Sequence, residues 1–325
     1  MTRLLRLELT RLRWRRAVLM LLAACVLVPV VIFGTHAWNT RPVSEAQLRD
    51  AQAQLERDQA DPGFQRQVER CERRPDRFGV EPEQCADMMA PQLDWYLYQP
   101  QLDLQTTLDQ QGLAVVTLVA GLLMLAATTF VGADWNSGSM SNQLLFEPRR
   151  TRIWLAKGCA VAGLAAVAMG AVLVAFWAGT MLLASSRDVE TAAAVVRDIQ
   201  GTSARAVGLA AVGALGAYAV TMLFRSTVFT LGALFAVVVG STVVLAGLGV
   251  SQRWMPHTNV QAVLADGTRY YREPPVGCYE RRPPEGLDCR EFATLSLTDG
   301  ALYLATFLAL AIALSIWSFR RRDVP

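Results

Sequence analysis

The chain has 325 residues, of which 53% are hydrophobic and 18% charged, and its formal net charge is +3. Charged residues make up about 25% of an ordinary soluble domain, so this balance excludes a typical water-soluble globule. No nucleic acid partner is expected.

Six stretches without a charge are each long enough to cross a hydrocarbon layer roughly 30 Å thick as a helix. They are 17–34, 112–132, 158–184, 206–224, 228–250 and 300–319, and none of their 128 residues is Asp, Glu, Lys or Arg. A charge at the centre of a spanning helix costs roughly 2.5–3.5 kcal/mol, and lipid offers no partner to an unpaired backbone group. The expected fold is therefore all-α: a polytopic membrane protein of six transmembrane helices.

In chain order, residues 1–16 place Leu5, Leu9 and Leu12 on one helical face among arginines, which fits an interfacial helix at lipid headgroups. Residues 1–37 also have the make-up of a signal peptide, although the apolar window of 18 exceeds the usual core of such signals. Residues 35–111 form an external region. Ser44-Glu45-Ala46-Gln47 reads there as a capping box opening a helix to about Ala60, which Asp61-Pro62-Gly63 breaks. A second helix follows to about Arg74, and Trp95, Tyr96 and Tyr98 precede the second span as interface aromatics. A short external loop covers 185–205. In the last external region, 251–299, Pro256, Pro274, Pro275, Pro283 and Pro284 argue against helix until close to the sixth span, while Tyr270 and Tyr271 mark a short strand or turn. Gly232, Ala236 and Gly240 recur four apart in the fifth window, a spacing that lets helices approach closely.

Orientation follows from the basic residues. With six spans, segments 1–16, 133–157, 225–227 and 320–325 share one side. They hold 14 basic and 4 acidic residues, including Arg320, Arg321 and Arg322, against 17 basic and 24 acidic on the other side. The positive-inside rule makes the first set cytoplasmic, with both termini inside. Cysteines agree, because disulfides persist in oxidising compartments: Cys71 with Cys85 and Cys278 with Cys289 are expected to bond within the two large external regions. Cys25 and Cys159 read as apolar fillers.

The residue inventory excludes several chemistries. His36 and His257 are the only histidines, so no zinc helix of the His-Glu-x-x-His type can form. Lys157 is the only lysine and no phosphate-cradling glycine loop precedes it. Ser241 and Ser315 lie in spans without a basic activator, and structural hydroxyls bonded to their own helices account for them. No catalytic, metal or cofactor site is expected, and the chain is not expected to be an enzyme.

The most informative stretch is 133–157. It contains Asp134, Gly138, Ser139, the pair Leu144 and Leu145, then Glu147, Pro148, Arg149, Arg150, Arg152 and Lys157. This order resembles the first cytoplasmic loop of type-2 ATP-binding-cassette (ABC) transporter permeases. There an acidic residue is followed by Gly-Ser/Thr, a Leu-Leu pair, a Pro, then Arg and Lys leading into the next span. Asp134 stands where Glu is usual, and Arg152 lies one position further from the proline than the common spacing. Glu8 followed by clustered arginines is similar as well. The resemblance implies a membrane subunit of an ABC exporter that pairs with a second permease in the plasma membrane. A short helix near Ser139 to Phe146, anchored by Leu144 and Leu145, would seat in a separate cytoplasmic ATPase that carries the ATP and magnesium. The basic cluster would hold adjacent chain at anionic headgroups, at about 1 kcal/mol per residue. The alternative reading is a membrane-anchored interaction or sensory protein acting through its disulfide-bonded external regions.

Overall fold

The computed structural model describes residues 2–73, 84–85, 88, 90–97, 100–279 and 289–321. Tyr98, Pro283, Pro284 and Arg322, singled out above, lie outside the described residues.

Helix α1 (Thr2–Trp14) stops one residue before α2 (Arg16–Asn39). The external helices α3 (Glu45–Gln59) and α4 (Pro62–Arg73) come next. The long α5 (Leu104–Asn136) contains a π-helical turn at Leu108–Gly112. After α6 (Ser139–Phe146) come α7 (Arg150–Ser185) and α8 (Ala193–Phe224). Residues 227–247 are helical in three consecutive pieces: α9 (Thr227–Phe235), a π-helical turn at Ala236–Gly240, and α10 (Ser241–Gly247). The chain then forms α11 (Pro256–Leu264), strands β1 (Thr268–Tyr271) and β2 (Phe292–Leu295), and α12 (Leu297–Arg321).

Among the described residues five helices are long and apolar enough to cross a membrane: α2, α5, α7, α8 and α12. Window 228–250 falls on residues 227–247, which are helical in three pieces and are not among these five, so five of the six expected spans each have such a helix. The helices also outrun their apolar windows. Helix α7 starts at Arg150 and α8 at Ala193, because helix continues as long as backbone groups are paired, whether or not the side chains are apolar.

Helix α8 is the centre of the packing, lying against α7, α5 and α12, while α2 lies against α5 and α7. Ala206, Ala210 and Ala214 on α8 are fully buried at every fourth position, with Ala217 beside them. Side chains this small let helix axes come close together. The opposite faces carry Val167, Val174 and Leu182 on α7 and Leu302, Phe307 and Leu310 on α12, all exposed. Apolar surface on that scale belongs against lipid or another protein.

Arginines tie the bundle by capping helix ends that belong to other elements. Arg187, just past α7, donates to the Ala37 and Thr40 carbonyls at the end of α2, at 2.8 and 2.5 Å. Arg150 reaches the Phe319 carbonyl of α12 at 3.0 Å, and Arg205 the Leu264 carbonyl of α11 at 2.9 Å. A helix C-terminus presents unpaired carbonyls and partial negative charge, so each guanidinium satisfies both.

The external regions follow several sequence expectations. Ser44 and Gln47 form a reciprocal capping box at the start of α3. Disulfides join Cys71 to Cys85 and Cys278 to Cys289. Asp103 caps α5 by accepting the Thr106 N–H at 2.7 Å, and the Thr106 side chain first, then this N–H, hold its carboxyl below the usual aspartate range. Two expectations need correction. Pro256 opens α11 instead of excluding it, since proline costs nothing at the first helical position. The all-α class gains a small ribbon: Tyr270 and Tyr271, read as a short strand or turn, do lie in a strand, β1, which pairs antiparallel with β2, Thr268 opposite Leu295 and Tyr271 opposite Phe292.

Gly132 on α5 faces Thr227 at the start of α9 so closely that an added methyl would overlap the threonine hydroxyl. Overpacking of this kind costs roughly 1–3 kcal/mol. Gly132→Ala is expected to lower the unfolding temperature in detergent, and Thr227→Ala in the same chain to restore it. Loss of stability that the second change leaves untouched would contradict this contact.

Candidate functional site

At one end of the bundle, five charged side chains from three helices and the link between α1 and α2 meet. Asp134 lies in the last turns of α5, Lys157 two turns into α7, Glu8 and Arg11 on α1, and Arg15 between α1 and α2. The Lys157 ammonium donates to Asp134 Oδ2 at 2.5 Å and to Glu8 Oε2 at 2.8 Å. Arg11 lies 3.3 Å from Asp134 Oδ1 and 3.5 Å from Glu8 Oε1. Arg15 also bonds Asp134 Oδ1, and Arg11 donates to the Ser139 hydroxyl at the start of α6. The Phe130 ring closes the cluster, 5.2 Å from the Lys157 ammonium and 5.3 Å from the Arg15 guanidinium.

Lys157 and Asp134 side chains are both 0% exposed. An unpaired charge in that position would not survive, because desolvation costs several kcal/mol per ion. Each ammonium or carboxylate here has at least two partners, which makes burial tolerable. The helical spacing explains why α1 joins in. Glu8, Leu12 and Arg15 follow one another at intervals of four and three, so they share a face, and Leu12 is buried in the apolar core. Leu9, expected from sequence to share the apolar face with Leu5 and Leu12, is instead turned outward and exposed. Glu8 takes the central position because the ammonium lies beneath it.

The segment between α5 and α7 is short and sharply turned. Gly138 has φ of +67°, a left-handed conformation that favours glycine; it ends α5 and opens α6 within two residues. Helix α6 buries Met140 and half-buries Leu144. Leu145 is 81% exposed and Phe146 91%. The pair expected to point outward together is thus divided: Leu144 packs on the core, and Phe146 takes its place beside Leu145. The reason is helical periodicity, since adjacent residues are about 100° apart.

The remaining residues read from this loop are distributed more widely. Glu147 ends α6, accepts the Arg149 N–H at 3.3 Å, and lies 3.8 Å from Arg152. Pro148 and Arg149 are exposed. Arg150 is committed to the end of α12. Asp134, Ser139 and Lys157 therefore converge, while Leu145, Glu147, Pro148, Arg149 and Arg152 lie on the outer surface of the same short segment.

Sequence reasoning placed no charge inside the protein, and this is the main correction. Windows drawn to exclude charge end at Asp134 and Lys157 by construction, but the helices carry both residues inward. Arg11 and Arg15 were read only as part of the basic N-terminal cluster that sets orientation, and Phe130 was not singled out. One signal was legible: the only lysine in the sequence and the acidic residue before Gly138 both fall at the edges of uncharged windows. Ser315 also differs from expectation, accepting the Trp154 indole N–H across helices at 3.0 Å. Ser241 does bond its own helix, donating to the Val237 carbonyl.

Among the described residues no group of His, Cys, Asp and Glu is arranged to hold a metal ion. No family model, curated protein or solved structure matches the chain.

Removing one partner of a buried ion pair costs about 3–5 kcal/mol, whereas replacing the whole set by apolar groups can be nearly neutral. Lys157→Met is expected to destabilise the protein by that amount in a detergent unfolding assay. Combining it with Glu8→Gln, Arg11→Gln, Asp134→Asn and Arg15→Gln, which removes every charge of the cluster, is expected to recover most of the loss. Equal unfolding temperatures for wild type and Lys157→Met would show that the cluster contributes nothing.

Proposed function

We propose that the chain is the membrane-spanning permease subunit of an ABC-type exporter, which forms part of a translocation path and couples to a separate cytoplasmic ATPase. The observation that carries this reading is α6: a short helix with two large apolar side chains, Leu145 and Phe146, left exposed, its base tied to the bundle by buried charges. An apolar tip on a rigid base fits a groove on a partner, as the resemblance of segment 133–157 implies. A helix that is only a connecting loop has no need of that combination.

The proposal includes six crossings, both termini in the cytoplasm, and a plasma-membrane location. Residues 227–247 supply the missing span. They contain no charged residue, present Val228, Phe235, Val243 and Val244 outward, and at 1.5 Å per residue reach about 31 Å, the thickness of the hydrocarbon layer. An even number of crossings puts α1, α6 and the end of α12 on one side, where basic residues predominate. Energy comes from ATP and magnesium on the partner. When two ATPases close, the pull on α6 passes through Ser139 and Asp134 into α1, α5 and α7, and shifts the helices between two packings. Six spans are half of the usual twelve, so a second permease completes the path.

Two measurements test the reading. A cysteine placed at Asn142 is expected to resist a membrane-impermeant thiol reagent in intact cells and to react after permeabilisation; reaction from outside would refute the topology. A cytoplasmic ATPase is expected to co-purify with the wild-type chain in mild detergent and to be lost from a Leu145→Asp, Phe146→Asp double variant that elutes and unfolds normally. Retention of the ATPase by that variant would rule out docking through α6.

A further inference from the structure

We propose that the outer face of α1 docks on the anionic headgroups of the bilayer that α2 enters, so that lipid charge sets how firmly α1 is held. The inner face of α1 is occupied by Glu8, Arg11, Leu12 and Arg15 in the contacts described above. The outer face carries a different set. Arg6 and Arg13, seven residues apart, share one exposed stripe, with Arg3 nearby; none of the three is in an ion pair among the described residues. Leu7 and Trp14, also seven apart, form a flanking apolar stripe and are 60% and 73% exposed. Arg13 lies 5.9 Å over the Trp14 ring.

This pattern fits one occupant. Arginines beside an exposed leucine and tryptophan suit the headgroup level, where the guanidinium meets phosphate and the indole rests between water and acyl chain. The connection to α2 places α1 at that level: α1 ends at Trp14, and the apolar helix that could cross the membrane begins at Arg16. Charge points the same way. The cluster beneath α1 holds three cations, Arg11, Arg15 and Lys157, against two anions, Glu8 and Asp134, and Arg11 and Arg15 remain partly exposed. Positive charge is therefore left over at the rim, where anionic headgroups can balance it.

A lipid hold on the outer face bears on α6, because Arg11 on the inner face bonds both Asp134 and Ser139. That consequence rests on the coupling reading given above, whereas the lipid contact itself does not.

The test uses the full chain with Cys25→Ala and Cys159→Ala, and Thr10→Cys carrying an environment-sensitive fluorophore. Thr10 is exposed and lies between Arg6 and Arg13 on the outer face. The protein is placed in symmetric nanodiscs of phosphatidylcholine with or without phosphatidylglycerol, so neither topology nor an ATPase enters the readout. Anionic discs are expected to shift the emission to the blue and to protect the label from acrylamide, favouring the lipid-bound form by on the order of five-fold for each arginine engaged. High salt, or Arg3→Gln with Arg6→Gln and Arg13→Gln, is expected to erase the difference while the unfolding temperature stays unchanged. Equal emission in both lipids overturns the proposal, as does a shift that survives the triple change. A shift produced by inorganic phosphate in phosphatidylcholine discs also overturns it, since the face would then take a free anion. If the triple variant does not fold, charge-preserving Arg→Lys changes replace it and must retain the shift.

Discussion

The Lys157 ammonium sits between two carboxylates that belong to other helices, and the end of the bundle that carries α6 is arranged around it. An ammonium in a dry interior has to be surrounded by acceptors, and Asp134 and Glu8 come from elements 23 and 149 residues away in the chain. Satisfying it fixes the end of α5, the second turn of α7 and the face of α1 relative to one another. Arg11 and Arg15 then satisfy the oxygens that Lys157 leaves over. Hydrophobic packing alone does not give this specificity, because apolar helices with small side chains slide and rotate against one another at little cost. Directional charge-assisted bonds admit one arrangement.

The cluster also explains why α6 can be short. An isolated helix of eight residues is unstable in water, yet here it is tethered at its first residue through Ser139, turned by Gly138, and pinned by Met140 and Leu144 against the core. What remains outside is its apolar tip. The same logic applies at the helix ends, where arginines from one element complete the carbonyls of another. Arg150, Arg187 and Arg205 each bridge parts of the chain separated by at least 59 residues, so the bundle is fastened at its polar margins while the middle depends on close packing of alanine.

Segment 227–247 stands apart from this order. It is pinned to α5 at Gly132 and buries Thr230, but the rest of its described side chains are half or fully exposed. Its π-helical turn falls between Gly232 and Gly240, in the region where small residues recur. A wide turn in a glycine-containing helix offers a place for bending, and an apolar helix with so little internal contact has its surface available to lipid or another protein.

Local chemistry was legible without a structure. Uncharged windows located the five helices able to cross a membrane, Ser44 and Gln47 announced their capping box, and cysteine partition gave both disulfides. Each depends on residues close together in the chain, or on a solvent preference that every residue expresses alone. Tertiary structure decided the rest: that Asp134 and Lys157 turn inward rather than toward a partner, that Glu8, Arg11 and Arg15 complete their shell, that Phe146 and not Leu144 accompanies Leu145 on the surface, and that β1 finds β2. These outcomes depend on which helix faces meet. Linear order carries no distance between residues more than a hundred positions apart, and only packing brings opposite charges together.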